Sequence, residues 1–381
     1  MKILMVAIPN HHFFQWVNQL KDSGHDVFWF DSTDGGGIVE KIQWVHQIKG
    51  WKLRWDFPFR HFIKSRFPKG YSQIQKINER KLAEVFEKKL QQIKPDVVQC
   101  FEMQLAGIPI LEVMEEYSNI PLIYSSWGSD LFYHKEMGLS SQNVHRFLKR
   151  VDYLITDCHR DYKLALQNQF QNIFLGVYPG NGGIAYPKKE ILPWHKRNCI
   201  IIKGYDDGVG KALEIVQALE LIDPVLLSDK KIIVFSADAV VEAFFKNSKK
   251  LQNYDVEIQP RNQFVPNEML LKQMGQSILY LGNSLSDGMP NSLLEAMGMG
   301  AFPIQSNPGG ATSEIIEHQK NGLLIANPLD VTEIAHHITT ALQHNILREK
   351  AQEYNVAFST KNYDRALLQS QIVHLYYSIT V

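Results

Sequence analysis

Short apolar runs alternate with longer segments of helical periodicity along most of the chain, and this alternation constrains the fold more than any other feature. In the first half the runs are Lys2–Ala7, Asp26–Phe30, Val97–Cys100, Leu122–Ser125 and Tyr153–Thr156. After residue 195 they are Asn198–Ile202, Lys231–Phe235, Ser277–Leu281, Ala301–Ile304 and Gly322–Ile325. Parallel strands need crossover helices and are buried on both faces, so this pattern predicts parallel sheets covered on both sides. We therefore expect an α/β protein of two doubly wound, Rossmann-like domains.

A cluster of backbone breakers separates the two series of runs. It begins with the residues from Tyr178 to Gly183 (YPGNGG) and continues through Pro187 and Pro193. We expect an N-terminal domain over residues 1–190 and a C-terminal domain over 191–362. Apolar residues at helical spacing predict a terminal amphipathic helix within 363–381, which we expect to cross back and pack on the N-terminal domain.

Charge and cysteine usage narrow the class of protein. The 40 lysines and arginines balance 40 acidic residues, which leaves no net field to attract nucleic acid. The three cysteines, Cys100, Cys158 and Cys199, have neither disulfide-framework nor zinc-site spacing. The apolar N-terminal run is too short for a signal peptide, and no stretch reaches the roughly 18 apolar residues of a membrane span. We expect a cytoplasmic protein without a metal site.

Ligands of open α/β sheets lie beyond the carboxyl ends of the strands, so the strand-to-helix loops are where a site is expected. The most informative loop follows the run Ser277–Leu281 and leads to Pro290, which suits the start of a helix. Backbone N–H groups and the positive end of the helix dipole would converge there on an anion such as a diphosphate. The residues that would supply these N–H groups are Gly288, Met289, Asn291 and Ser292.

Two carboxylates flank this predicted anion site. Asp287 lies in the loop and Glu295 lies further along the helix, so they are spread along a ligand rather than paired for a shared proton. A ribose and a hexose at opposite ends of a diphosphate would use both carboxylates, which favours a nucleotide-sugar ligand. The alternative is that Asp287 only caps the helix and that Glu295 is a solvated side chain.

The same segment resembles glycosyltransferase family 4. The resemblance is carried by Asp287-x7-Glu295 within the stretch SDGMPNSLLEAM, followed in order by Gly300–Ile304 (GAFPI), Gly309-Gly310, Glu314–Ile316 (EII) and Asn321–Leu324 (NGLL). It implies the GT-B fold with two domains facing a cleft, a nucleotide-diphosphate sugar donor such as a UDP- or GDP-sugar, no other cofactor, a metal-independent reaction and retention of anomeric configuration.

The resemblance also assigns roles to the two carboxylates. It implies that Glu295 holds the ribose hydroxyls and that Asp287 lies beside the transferred sugar. The family usually has glutamate at the first of these positions, so the shorter Asp287 is a departure from its pattern.

The second domain opens with a strand, a loop and a helix that contain further candidates. Lys211 would enter the cleft as a point charge on the phosphates; the bland alternative is a solvated lysine near a helix start. The family usually has Gly-Arg early in this loop and Lys later. Gly204 and Lys211 match those positions, whereas Tyr205 replaces the arginine and leaves Lys203 as a substitute.

Nucleoside contacts are expected from residues 259–266 (QPRNQFVP), which resemble the family's base-binding turn. The candidates are Arg261 and Phe264. A core position is the alternative for Phe264.

In the N-terminal domain, Ser125–Asp130 (SSWGSD) resembles the family's His-Gly-x-Asp segment, with Trp127 in place of the histidine. Asp130, a catalytic candidate, and His134 are the polar groups left to reach the donor sugar or the acceptor hydroxyl; a turn cap is the alternative for Asp130. No Gly-x-Gly-x-x-Gly follows the first strand, which argues against a nicotinamide-dependent enzyme acting on nucleotide sugars.

Residues 49–71 form a basic and aromatic segment in which Asp56 is the only acid. Its basic residues are Lys49, Lys52, Arg54, Arg60, Lys64, Arg66 and Lys69, and its aromatic residues include Trp51, Trp55, Phe57, Phe59, Phe62 and Phe67. One hypothesis is peripheral contact with anionic lipid at the inner face of a membrane, which suits a lipid-linked acceptor. The alternative is a loop whose aromatic residues pack into the N-terminal domain.

The sequence thus predicts a glycosyltransferase that moves a sugar to an acceptor hydroxyl in glycan, polysaccharide or glycolipid synthesis. A degenerate member that binds nucleotide sugars without catalysis is the nearer alternative, given Asp287, Tyr205 and Trp127 at altered positions. The base, the sugar, the acceptor, the linkage and the oligomeric state are left open.

Overall fold

The structure is a computed structural model that describes residues 1–379, except for the side chain of His61. The chain forms two compact units. Unit 1 comprises Met1–Thr156, Asp161–Gly182 and the segment from Gln369 onward, and unit 2 comprises Asp157–Arg160 and Gly183–Leu368. Each unit is built on one parallel sheet, as the alternation of apolar runs predicts.

The sheet of unit 1 has seven strands. They are β1 (Lys2–Ala7), β2 (Asp26–Asp31), β3 (His46–Ile48), β4 (Val97–Phe101), β5 (Leu122–Ser125), β6 (Tyr153–Thr156) and β7 (Ile173–Val177). Their hydrogen-bonded order is β3-β2-β1-β4-β5-β6-β7. The central strands β4, β5 and β6 are buried along their whole length, as expected of strands covered on both faces.

The sheet of unit 2 has six strands. They are β8 (Cys199–Lys203), β9 (Lys231–Ala237), β10 (Asp255–Pro260), β11 (Ser277–Gly282), β12 (Phe302–Ser306) and β13 (Leu323–Ile325). Their order is β10-β9-β8-β11-β12-β13, with every pairing parallel. The carboxyl ends of β8 and β11 are therefore neighbours, which brings the loops that follow them together.

Helices connect the strands. Before residue 182 they are α1 (His11–Val17), α2 (Arg60–Arg66), α3 (Pro68–Asn78), α4 (Leu82–Ile93), α5 (Ile108–Glu116), α6 (Ser129–Phe132), α7 (Ser141–Arg150) and α8 (His159–Gln167). After it they are α9 (Ala212–Leu219), α10 (Pro224–Leu227), α11 (Ala239–Asn247), α12 (Asn267–Gln276), α13 (Asn291–Gly298), α14 (Val331–Gln343), α15 (Asn345–Tyr363) and α16 (Arg365–Ser378). A π-helical turn, Met103–Gly107, runs directly into α5.

Local sequence fixes several helix starts. Asn10 caps α1 by accepting from the Phe13 N–H at 2.8 Å, and Asp330 caps α14 by accepting from two backbone N–H groups. Such side chains satisfy donors that the first helical turn leaves unpaired.

The C-terminal helix α16 returns the chain to unit 1. The Gln369 side chain donates to the carbonyl of Gln19 at 3.2 Å, and the buried Tyr376 hydroxyl accepts from the indole of Trp16 at 3.0 Å. The same hydroxyl donates to Gln99 in β4. Polar groups buried beneath the helix are thus paired, which fixes its last turns on the unit 1 sheet.

Two residues of the predicted basic and aromatic segment are not on the surface. Lys49 is buried and forms a 3.0 Å ion pair with Asp31. Trp51 is 6% exposed and donates to the carbonyl of Asp31 at 2.8 Å. Both therefore belong to the core of unit 1, because each has a buried partner at the end of β2.

The three cysteines, Cys100 in β4, Cys158 and Cys199 in β8, are buried. Among residues 1–379, no helix combines the length and the apolar character needed to cross a membrane.

Candidate functional site

The candidate site of unit 2 is built from the loop between β11 and α13. Its first residues are fixed to neighbouring elements: the Ser284 N–H donates to the Ser306 hydroxyl at the end of β12 (2.9 Å). The Asn283 side chain donates to the Lys211 carbonyl (3.0 Å), and the Lys211 N–H donates to the Asn283 carbonyl (3.0 Å). The two stretches predicted to bind the diphosphate are therefore joined directly.

Lys203 and Asp287 meet at this junction. Lys203 is the last residue of β8, and its Nζ lies 3.6 Å from the Asp287 carboxylate. Burial alone would lower the pKa of Lys203, but Asp287, Tyr280 and Tyr205 together outweigh it, so the pKa lies above its usual value. The lysine is thus held as a cation at the carboxyl end of the sheet.

Tyr205 stands where the family resemblance expects an arginine, and two cations lie over its ring. Lys203 Nζ is 4.9 Å from the ring centroid and the guanidinium carbon of Arg261 is 4.0 Å from it. Arg261 also pairs with Asp207 and Asp238, at 3.0 Å each. The tyrosine therefore gathers positive charge at the position of the missing arginine, and two carboxylates hold Arg261 there.

Gly204, between these residues, is required by packing. A Cβ at this position would lie 2.6 Å from the Cα of Ala237, a distance that no larger residue can accommodate without moving the backbone of β9. The glycine thus lets β8 and β9 approach at the site.

Glu295 lies in α13 and is 8% exposed, so it is not the solvated side chain of the alternative interpretation. Its carboxylate accepts from the Asn267 side chain at 2.9 Å. Burial raises its pKa to about 7, although Asn267 and the charge of Lys203 act in the opposite direction. A buried carboxyl with a single polar partner among residues 1–379 can accept further hydrogen bonds, which is what ribose hydroxyls would offer.

Two of the predicted anion-binding N–H groups are engaged by carboxylates of the protein. The Gly288 N–H donates to the Asp287 side chain at 3.0 Å. The Met289 N–H donates to the Asp157 side chain at 3.2 Å. A Cβ on Gly288 would lie 2.1 Å from an Asp157 oxygen, so glycine is needed for this contact. The loop does present donors suited to an anion, and in this structure carboxylates occupy two of them.

Asp157 belongs to a short segment, Asp157–Arg160, that sequence reasoning did not assign to the site. The buried Arg160 donates to the carbonyls of Asp287 and Pro308, at 2.8 Å each. Its own N–H and that of His159 donate to the Glu314 carboxylate, at 2.7 and 2.8 Å. The segment therefore supports the loop between β11 and α13. Its position directly after β6, with charged residues at a strand end, is the signal that could have identified it.

Other predicted residues occupy the same loops. Lys211 precedes α9 and is half-buried; within residues 1–379 its Nζ forms no hydrogen bond or ion pair. Asn291 begins α13, and the Ser292 hydroxyl pairs with that of Tyr280 at 2.9 Å. Phe264 is 79% exposed, which excludes the core position.

Asp130 lies in unit 1, at the carboxyl end of β5, and is 1% exposed. Its carboxylate accepts from the Tyr124 hydroxyl (2.6 Å) and from the N–H groups of Met103 (2.9 Å) and Trp127 (3.0 Å). These bonds indicate that Asp130 fixes the strand ends of unit 1. His134, also nearly buried, contacts the Leu131 carbonyl through Nδ1 at 2.8 Å.

Glu102 is a second acidic residue buried in unit 1, close enough to Asp130 to be affected by its charge. Its carboxylate accepts from the N–H groups of Gln104 and Leu105, at 2.6 and 2.5 Å, at the start of the π-helical turn. Burial, and then the charge of Asp130, raise its pKa to about 8. Two carboxyls thus cap three successive N–H groups, those of residues 103–105.

The unit 2 site combines anion-binding and hydroxyl-binding groups. Its cations and its loop N–H groups suit a diphosphate, while Asp287, Asp157 and Glu295 can accept from sugar hydroxyls. Such a combination matches a phosphorylated carbohydrate better than a simple anion.

Two family models match the chain. The family model described as "Glycosyl transferases group 1" matches residues 243–357, and that described as "Glycosyl transferase 4-like" matches residues 2–158. Each matched segment lies largely within one unit. No curated protein sequence matches the chain.

Several solved structures share the fold over nearly the whole chain. HepE of Anabaena, in complex with UDP and glucose, is 15% identical with a TM-score of 0.68, and all of each chain is covered. Sucrose-phosphate synthase of Thermosynechococcus elongatus is 14% identical with a TM-score of 0.70, covering 99% of this chain and 98% of its own. The lipopolysaccharide outer core galactosyltransferase WaaB is 13% identical with a TM-score of 0.67, covering 99% of each.

Proposed function

Since glycosyltransferase family models match residues 2–158 and 243–357 of a chain with the GT-B fold, we propose that it is a family 4 glycosyltransferase. It transfers a sugar from a nucleoside diphosphate sugar to an acceptor hydroxyl with retention of anomeric configuration. The observation that carries the proposal is the meeting of Lys203 and Asp287 at the loop before α13, with Glu295 buried in that helix. A nucleotide sugar needs a cation and N–H groups for its diphosphate and carboxylates for its hydroxyls, and all of these lie along this loop and helix.

In this proposal the donor lies along the carboxyl edge of the unit 2 sheet. Glu295 accepts from the ribose hydroxyls, and the exposed ring of Phe264 contacts the base. Lys203 and Lys211 bind the diphosphate, and Asp287 accepts from a hydroxyl of the transferred sugar. HepE was solved with UDP, which makes a uridine nucleotide the first donor to test.

The reaction needs stabilisation of a departing diphosphate. The bond from the sugar's anomeric carbon to the phosphate oxygen breaks with its electron pair, and the acceptor oxygen bonds to that carbon on the same face. The acceptor proton passes to the departing phosphate, so no separate base is invoked. Lys203, Lys211 and the loop N–H groups stabilise the growing charge, with preorganised groups of this kind typically contributing about 3 kcal/mol each. No metal ion is assigned a role.

The acceptor is proposed to be a carbohydrate or a lipid-linked carbohydrate, with the protein acting in the cytoplasm or at the inner face of the membrane. WaaB, a lipopolysaccharide outer core galactosyltransferase that shares the fold, supports a place in glycan synthesis. A lipid-linked acceptor would require contact with a bilayer.

A second candidate is a nucleotide-sugar-binding protein without turnover. It is favoured by Asp287, Tyr205 and Trp127, which stand where the family resemblance expects a glutamate, an arginine and a histidine. Release of nucleoside diphosphate from a donor sugar, with or without acceptor, separates the two candidates.

The first experiment is a thermal-shift and hydrolysis panel with the diphosphates of uridine, guanosine, adenosine and cytidine and their common sugar conjugates. Wild type is compared with Glu295→Ala and with Glu317→Ala, an exposed carboxylate of unit 2. We expect one nucleotide to stabilise the wild type and the Glu317 variant but not the Glu295 variant. If no nucleotide stabilises the wild type, the proposal is wrong.

A further inference from the structure

Unit 1 exposes several large apolar side chains that are concentrated in sequence between residues 54 and 78. Five phenylalanine and tryptophan side chains in the described residues are strongly exposed, and four of them lie within thirteen residues. They are Trp55 (49%), Phe59 (79%), Phe62 (61%) and Phe67 (60%), and Ile77 (68%) extends the group. We call these five residues the aromatic surface. Water-exposed aromatic residues so concentrated are unusual on a soluble chain and mark an interaction site.

The backbone of this segment presents the rings rather than burying them. Phe59 and Phe67 flank the two ends of α2, and Phe62 lies within it. Phe59 has a φ of 62°, a left-handed conformation that bulky residues rarely adopt. Phe59 is also the most exposed ring of the set.

Basic residues are interspersed in sequence with the residues of the aromatic surface. Between residues 50 and 78 the sequence has seven basic residues and one acid, Asp56, which pairs with Arg60 at 3.1 Å. The basic residues that are exposed are Arg54, Lys64, Arg66, Lys69 and Lys76. The whole chain has a formal net charge of zero, so this local excess is not a consequence of overall composition.

We propose that the aromatic surface docks the chain on a bilayer that contains anionic lipids. Phenylalanine rings have no polar group to satisfy and partition below the headgroups, while lysine and arginine side chains remain at the level of the phosphates. Each basic residue near such a surface adds favourable electrostatic energy. A neutral apolar partner would leave the exposed cations without counterparts. The zero formal net charge of the chain gives no overall field that would attract single-stranded nucleic acid.

This proposal is independent of the donor chemistry. The surface lies wholly in unit 1, and none of its residues belongs to the loops of unit 2 that form the candidate donor site. It names the bilayer contact that a lipid-linked acceptor would require, yet it can hold for any acceptor.

The test is cosedimentation of the full chain with sucrose-loaded vesicles of phosphatidylcholine, with and without phosphatidylglycerol, at low and high salt. Two variants address the surface: Phe62→Ser/Phe67→Ser and Lys64→Glu/Arg66→Glu/Lys69→Glu. The matched control is Leu221→Ser/Val225→Ser, which alters exposed apolar residues of unit 2 (59% and 75%). Thermal unfolding and nucleotide binding in solution, measured on all variants, report the fold and the donor site separately.

We expect the wild type and the control to bind anionic vesicles, less at high salt, and each surface variant to bind about tenfold or more weakly. Should a surface variant fail to fold, brominated lipids still test the proposal, because they are expected to quench wild-type fluorescence more than that of Trp55→Phe. Absence of vesicle binding by the wild type, equal loss in the control, or capture by homopolymeric RNA without vesicle binding would each overturn the proposal.

Discussion

Lys203 Nζ lies 3.6 Å from the carboxylate of Asp287, so the strand-end cation and the loop carboxylate neutralise each other. In the proposed reaction, a diphosphate competes with Asp287 for this lysine. Asp287 is then released to a sugar hydroxyl at the moment the donor binds. Binding of the diphosphate to Lys203 thereby frees Asp287 to bind the sugar.

The first prediction concerns this lysine. Lys203→Met is expected to lower kcat/KM by about 100-fold, because one preorganised charge at the leaving group is lost. Lys320→Met, which removes an exposed cation paired with Glu317, serves as the control and is expected to keep wild-type kinetics. Steady-state release of nucleoside diphosphate measures both. Wild-type turnover in Lys203→Met would remove this residue from the mechanism.

The second prediction concerns the pH dependence of stability. The pKa of Glu295 rises from 4.5 to about 7 on folding, so the folded chain holds its proton more tightly than the unfolded chain. Its stabilising contribution is full below pH 4.5 and is lost as pH rises through 7. This difference in pKa corresponds to roughly 3 kcal/mol at most.

Glu295→Gln is expected to abolish that part of the pH dependence, and urea unfolding between pH 5 and 8 measures it. Glu102 titrates in the same window, with its pKa raised to about 8, but it is present in both chains and cancels in the comparison. Parallel stability curves for wild type and variant would show that the carboxyl of Glu295 is not perturbed.

The third prediction tests the contact between Gly288 and Asp157. Gly288→Ala places a methyl group where the Asp157 carboxylate lies, and we expect a loss of about 1 to 3 kcal/mol of stability together with weaker donor binding. Asp157→Ala makes room for the methyl group, so the double variant is expected to recover part of both losses. Thermal unfolding and nucleotide titration of the four proteins give the coupling energy. Strict additivity would mean that the loop moves away from Asp157 without cost.

The fourth prediction concerns the return of the C-terminal helix to unit 1. Tyr376→Phe removes a buried hydroxyl that bridges Trp16 and Gln99 and is expected to cost about 1 to 3 kcal/mol in unfolding free energy. Tyr377→Phe is a close control, since the neighbouring ring is 61% exposed and its hydroxyl donates to the Ser23 carbonyl. We expect less than about 0.5 kcal/mol there. Equal effects would show that the buried bridge is not what fixes the helix.

The interior of each sheet could be predicted from sequence, but most sheet edges could not. Predicted Lys2–Ala7, Leu122–Ser125 and Tyr153–Thr156 coincide with observed strands, because strands buried on both faces require continuous apolar runs. The strands without a predicted counterpart, β3, β7 and β10, are all edge strands. β10 alternates polar and apolar residues and is half-exposed, and β3 has only three residues, so neither produces such a run.

The chemistry of the loop between β11 and α13 was predictable because its residues are close together in sequence. The support from Asp157 and Arg160 was not, since Arg160 reaches Asp287 across 127 positions of sequence. Pairing of Arg261 with Asp207 and Asp238 is hidden for the same reason, because separate strand ends bring the three side chains together. Local patterns indicate which residue types line a site, whereas neighbours contributed by distant loops decide their charges.

Each unit contains a buried cysteine whose reactivity reports local unfolding of that unit. Cys100 lies in the sheet of unit 1 and Cys199 in that of unit 2, 0% and 5% exposed, and burial raises the pKa of both thiols. Because alkylating reagents attack only an accessible thiolate, each side chain becomes reactive only when its own sheet loosens. Timed labelling followed by peptide mass spectrometry would therefore measure the opening rate of each unit separately in one chain. A ligand that slows the labelling of only one cysteine identifies the unit that it stabilises.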